Sequence, residues 1–133
     1  MSDTLSEKAR ALLARPVLAS LATISADGSP QITPLWIDVD GDDLLVNTAE
    51  GRRKARNMHH NPHVAVSVVD PDDPYNVVAV RGTVIDMTHE GADADIDRLA
   101  KKYMGVDEYP MRTEGEVRVT VRIRTDRISM QAG

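Results

Sequence analysis

Three apolar runs, Val17 to Ile24, Pro30 to Val39 and Asp43 to Thr48, follow one another with only turn formers between them. The first gap is Ser25-Ala26-Asp27-Gly28-Ser29, whose Asp-Gly pair marks a hairpin, and the second is Asp40-Gly41-Asp42. A parallel pairing needs a crossover of about a dozen residues or more, and neither gap supplies it. These runs must therefore pair antiparallel, and a regular strand-helix alternation is excluded.

The rest of the chain extends this pattern. Val17 to Ile24 is nearly continuous in apolar residues and reads as a strand buried on both faces. In its partner, Ile32, Leu35, Trp36 and Ile37 break strict alternation, and Pro34 removes a ladder donor, so an edge, a bulge or a gap is expected there. His63 to Asp70 is a Val-rich strand, closed by the turn signal Pro71-Asp72-Asp73-Pro74. Tyr75 to Met87 is a long strand with Gly82 as a bend or bulge. The last strand places Val117, Val119, Val121 and Ile123 on one face and Arg118, Thr120, Arg122 and Arg124 on the other. Thr4 and Glu7 are spaced as a capping box for a short first helix carrying Leu5, Ala9, Leu12 and Leu13, which Pro16 ends. Thr88 is placed to cap a late helix whose Ile96, Leu99, Ala100 and Tyr103 share a face, and Met104 to Glu116 reads as irregular. The prediction is a mainly β fold with three short helices. Its six-stranded antiparallel sheet curls into a small barrel, and residues 1–133 form one domain.

Between the third and fourth strands lies Gly51-Arg52-Arg53-Lys54-Ala55-Arg56-Asn57-Met58-His59-His60-Asn61-Pro62. Gly51 allows a tight exit from the strand, Ala55 and Met58 give a short helical face, and Pro62 stops the pattern. The predicted helix carries Arg52, Arg53 and Lys54 in its first turn, where unpaired N–H groups favour anions. A solvated charged face is one reading. A bound phosphate or carboxylate is the other, and it resolves the electrostatic conflict. At 100° per residue, Arg52 and Lys54 flank the Ala55/Met58 face while Arg53 points away, which makes the first two the candidate anion ligands.

Composition narrows the chemistry. A net charge of −5 and an aromatic content of 3%, with no Phe, argue against a nucleic-acid partner. The absence of Cys removes disulfides, thiolate nucleophiles and cysteine metal sites, and no apolar run approaches the ~20 residues of a membrane span. The N-terminal stretch, with Asp3 and Glu7, lacks a signal-peptide pattern, so no membrane association and a cytoplasmic location are expected.

No metal site is expected either: His59, His60 and His63 lie close together, but Pro62 breaks the helix needed to stack them and no acidic ligand lies among them. There is no G-x-S-x-G, G-x-G-x-x-G or Walker-type loop. Ser25 and Ser29 belong to a turn, and the carboxylates cluster in turns and on the late helix. No residue is nominated as a catalytic acid, base or nucleophile, which leaves a bound cofactor as the source of any chemistry. The basic face of the last strand suits an acidic ligand or a solvated face that discourages edge pairing. Trp36 suits either the core or a flat wall for a ring system.

The run Leu21-Ala22-Thr23-Ile24-Ser25-Ala26-Asp27-Gly28-Ser29-Pro30-Gln31-Ile32-Thr33-Pro34-Leu35-Trp36 is followed by Gly51-Arg52-Arg53-Lys54-Ala55-Arg56-Asn57-Met58. Val80-Arg81-Gly82-Thr83-Val84 and Tyr103-Met104-Gly105 come next. In order and spacing these resemble the pyridoxamine 5′-phosphate oxidase-like superfamily, and more narrowly its actinobacterial deazaflavin-dependent oxidoreductases that use coenzyme F420. The resemblance runs from about Leu5 to Ile128. It implies a six-stranded split β-barrel of the FMN-binding type, assembled as a homodimer with two cofactor sites at the subunit interface.

The resemblance also implies that Arg52 and Lys54 grip the cofactor phosphate with Thr48 nearby. Gln31, Thr33, Pro34, Leu35 and Trp36 would line the tricyclic ring, largely through backbone groups. It brings Tyr75 toward the site from the partner subunit; beside it, where relatives often carry a basic residue, this chain has Asn76. The implied activity is hydride transfer from reduced F420 to an electron-poor double bond of a small organic substrate. FMN is the alternative cofactor, in an oxidase or reductase, and a non-catalytic flavin- or pigment-binding module is the alternative role.

Overall fold

The computed structural model describes residues 2–131. In chain order the elements are α1 (Glu7–Leu13), β1 (Ala19–Ile24), β2 (Pro30–Leu35), β3 (Asp38–Asp40), β4 (Asp43–Ala49), α2 (Arg53–His60), β5 (His63–Asp70), β6 (Asp73–Thr88), α3 (Ala92–Met104) and β7 (Arg118–Met130). The strands form one antiparallel sheet in the order β2-β1-β5-β6-β7-β4-β3.

That order explains the barrel. β2 and β3 lie at opposite edges of the sheet, yet only Trp36 and Ile37 separate them in sequence. Two intervening residues span roughly 10 Å, so the sheet must curl until its edges nearly meet. The edges do not pair, and the barrel stays split. The stretch expected as one strand, Pro30 to Val39, is thus two, and the sheet has seven strands rather than six. Leu35 ends β2, which is the edge strand that Pro34 requires.

Side chains close the split. Ile37 is fully buried; its N–H donates to the Tyr103 hydroxyl at 3.1 Å and its carbonyl accepts from Lys102 Nζ at 2.7 Å. The Tyr103 hydroxyl in turn donates to the Val17 carbonyl at 2.6 Å. One turn of α3 therefore satisfies backbone groups that a continuous ladder would otherwise pair.

The core joins both ends of the chain. Leu12 and Leu13 from α1 pack in one cluster with Leu21, Val46, Val66, Val121 and Ile123, each worth about 1.5–3 kcal/mol when fully buried. Several boundaries differ from expectation. Ser6, not Thr4, caps α1, its hydroxyl accepting from the Ala9 N–H at 3.0 Å. α3 begins at Ala92 behind a left-handed Gly91 rather than at Thr88, because β6 runs on to Thr88. β1 alternates buried and half-buried residues instead of being buried on both faces. Gly82 meets β7 closely: a Cβ there would lie 2.6 Å from Ile123 Cγ2 and 2.7 Å from the Arg124 carbonyl oxygen. No helix is long and apolar enough to cross a membrane, among the described residues.

Candidate cofactor site

The candidate site forms where β4 hands the chain to α2. Gly51, at φ 89°, makes the turn that a side chain would strain. The helix starts one residue later than the sequence suggests: Arg52 is its N-cap, in extended backbone, and no side chain caps it. Its first turn holds no acidic residue, so nothing in the helix itself answers the positive dipole end. Ala55 and Met58 are buried, as the helical face requires, and this turns Arg52 and Lys54 toward one side.

There, a cavity of about 300 Å³ is lined by Pro34, Leu35 and Trp36 at the split, with Arg52 and Lys54 among its other walls. Five of the nine sequence candidates thus meet in one place. Arg53 does not join them and lies instead with Arg56 along a separate recess beside Asp27.

The remaining four candidates stand differently. Thr33 does not line the cavity but touches a residue that does, its hydroxyl accepting from Lys54 Nζ at 3.4 Å. The Gln31 side-chain oxygen accepts from Asn57 Nδ2 at 3.4 Å, within a buried cluster that also joins Asn57 to the Thr23 and Ser25 hydroxyls. Thr48 is wholly buried, its hydroxyl without a partner among the described residues, and it does not line the cavity. Tyr75, at the start of β6, is 92% exposed and also lies off the lining.

Sequence reasoning missed part of the wall. Leu18, Ile96, Leu99, Tyr109 and Met111 complete its apolar side. Trp36 stacks on Tyr103 at 5.2 Å between centroids and meets Tyr109 edge-on at 6.0 Å, and this holds the indole at the cavity. Tyr109 and Met111 come from the irregular segment, where periodicity carries no signal. Arg118, read as part of a solvated or ligand-binding strand face, is only 5% exposed. It pairs with the buried Glu116, donates from Nε to Asn47 Oδ1 at 2.9 Å, and lies over the Tyr109 ring. Its neighbour on that face, Arg122, is tied to Asp40 and Asp43, and Arg124 to Asp126. The face is ion-paired within the chain.

The charge balance of the cavity is one-sided. Arg118 is neutralised by Glu116, but no carboxylate lines the cavity, and Arg52 has no side-chain partner among the described residues. Burial, then Arg52, then Arg118 push the Lys54 ammonium below its ordinary pKa. Two uncompensated cations beside a stacked aromatic wall suit an anionic group on a flat apolar body. A flavin or deazaflavin phosphate ester has that form, and the residues present fit it.

The histidines lie elsewhere. His59 Nε2 is 2.9 Å from Glu50 and His89 Nε2 is 3.2 Å from the same carboxylate. Among the described residues, no group of three or more His, Asp or Glu could hold a metal.

Fold and site together define a split-barrel protein suited to a flavin or deazaflavin. The chain belongs to the pyridoxamine 5′-phosphate oxidase family, whose model matches residues 5–132. A solved structure described as an F420 reductase is 35% identical, covers 94% of this chain and 98% of its own, and superposes with a TM-score of 0.82. HupZ from Group A Streptococcus (22% identity, 97% and 98% covered, TM-score 0.67) shares the fold. So does General Stress Protein 26 from Bacillus anthracis (20% identity, 92% and 89% covered, TM-score 0.66).

Proposed function

We propose that this protein, acting over residues 1–133 as one cofactor-binding domain, is a coenzyme F420-dependent reductase of small organic substrates with electron-poor double bonds. The observation that carries this reading is the meeting of Arg52 and Lys54, uncompensated by any carboxylate, with the Pro34-Leu35-Trp36 wall in one cavity. The 35% identity to an F420 reductase supports F420 over FMN. Arg52 and Lys54 hold the phosphate, Thr33 orients Lys54, and Trp36, braced by Tyr103, gives the ring a flat face. The bound deazaflavin supplies the hydride, and no side chain is needed as a redox group.

The cavity is small for a tricyclic cofactor, and its rim is apolar and open: Leu18 is 62% exposed and Met111 52%. A second copy of the chain covers that rim in this reading, and Tyr75, free on its hairpin, is suited to reach the partner's site. The protein is then a homodimer with two shared sites.

Titration with oxidised F420, followed by coenzyme fluorescence, tests the reading. Saturable binding at or below roughly tens of micromolar supports it, and no change over that range refutes it. Lys54→Ala should weaken binding roughly tenfold to a hundredfold while Arg53→Ala leaves it nearly unchanged. Equal losses would remove the assignment of Lys54. Preferential stabilisation by FMN over F420 would move the protein to the flavin alternative.

A further inference from the structure

The outer face of the sheet carries a second cavity, built by an irregularity in β7. Along a regular strand, residues two apart share a face. Thr125 pairs with Gly82 and is fully buried, whereas Arg127 pairs with Arg81 and is exposed, although only Asp126 lies between. Asp126 is the extra residue of a bulge, and it turns Arg127 from the barrel interior to the outside. Two arginines thereby face each other directly across β6 and β7, a like-charge arrangement that is unfavourable unless something anionic lies between them.

Among the described residues no ion pair reaches either of them. Neither guanidinium has a side-chain partner among the described residues. Asp126, the nearest carboxylate in sequence, is committed to the Thr83 hydroxyl and to Arg124 Nε at 2.6 Å.

The registers of five strands show what lies beside the pair. One row across the sheet runs Ile32, Ala22, Ala65, Arg81, Arg127. The two alanines form a low floor between Ile32, 67% exposed at one end, and the arginines at the other. Ala22, Ala65, Pro30, His63, Arg81 and Arg127 line a cavity of about 620 Å³, and so does Asp126, whose charge is already answered by Arg124. That volume is within the usual range of small-molecule sites, and none of these residues lines the cavity at Trp36.

We propose that this cavity binds a small organic anion, a carboxylate or phosphate ester with an apolar body, gripped by Arg81 and Arg127 over the Ala22/Ala65 floor. The site is separate from the cofactor cavity and does not depend on which cofactor fills it.

The test titrates the full-length protein with 8-anilinonaphthalene-1-sulfonate, an aromatic anion that brightens when held in an apolar site. Benzoate and phenyl phosphate serve as competitors, and the one that displaces it better identifies the headgroup. The expected result is saturable binding that either competitor reverses. The component of binding that weakens about tenfold or more in Arg81→Gln and in Arg127→Gln, both exposed strand positions, should persist in Lys54→Ala, which removes only binding at the cavity beside Trp36. Binding of equal strength in both arginine variants overturns the proposal, because an apolar patch alone would then account for it. Loss of binding in Lys54→Ala overturns it by placing the probe in the other cavity. Absence of binding to the wild type overturns it as well, as when a second copy's carboxylates occupy the arginines. F420 binding by Arg127→Gln, measured in parallel, reports on the cofactor reading independently.

Discussion

The Tyr103 hydroxyl accepts the backbone N–H of Ile37 at 3.1 Å, inside the gap between the two edges of the sheet. It donates to Val17 across the same gap, while Lys102 takes the Ile37 carbonyl. Both side chains leave a single turn of α3, so this helix fastens a seam that backbone pairing leaves open.

Removing the fastening should loosen the barrel without emptying the aromatic stack. In Tyr103→Phe the ring can still lie against Trp36, but a buried N–H and a carbonyl lose their partner at a cost of about 1–3 kcal/mol. Denaturant unfolding, followed by the fluorescence of the protein's one tryptophan, should show that loss with an unchanged slope. Wild-type stability in the variant would contradict the fastening role of the hydroxyl.

Glu116 and Arg118 are buried together, at 5% and 3% side-chain exposure. Glu116→Ala would strand the guanidinium next to the cavity at Trp36, and breaking a buried pair in this way typically costs about 3–5 kcal/mol. The stranded charge should also make the cavity greedier for anions. Inorganic phosphate should therefore raise the melting temperature of Glu116→Ala more than that of the wild type, and equal shifts would contradict the electrostatic reading of the cavity.

The lowered pKa of Lys54 has a defined sign of effect. The folded state binds fewer protons than the unfolded state between the lowered value and the ordinary 10.5, so the penalty of holding the charge is relieved as pH rises through that window. A bound anion favours the charged ammonium and raises its pKa again. Anion affinity should consequently be level at lower pH and decline as pH rises through the unliganded Lys54 value. Fluorescence titration of F420 against pH reads this directly, with Lys54→Met binding weakly and without the decline. An identical decline in Lys54→Met would assign it to another group.

How far the sequence discloses all this depends on how local each determinant is. His63–Asp70 is legible to the residue, because Val alternation and flanking prolines are local signals. Arg52 and Lys54 are legible as a pair because helical geometry ties them to Ala55 and Met58. The break at Trp36-Ile37 leaves only a trace, the lost alternation after Leu35, since what stabilises it are Lys102 and Tyr103, more than sixty residues away. β7 reaches Met130, well past the alternating run, because the extra residue Asp126 resets the pattern that alternation counts. Arg118 looks like Arg122 and Arg124 by spacing alone. Only the fold brings Glu116, Asn47 and Tyr109 around it.

The two-residue link between β2 and β3 also governs traffic. Because the chain itself bridges the split, the two edges cannot swing apart to admit a ligand, however far the rest of the sheet breathes. Entry to the cavity at Trp36 is left to parts held by side-chain contacts and not by the chain itself: the irregular segment bearing Tyr109 and Met111, tied to α3 through Asp97, and the uncapped start of α2. The rate of cofactor exchange should follow the mobility of those two segments, while the barrel serves as a fixed frame.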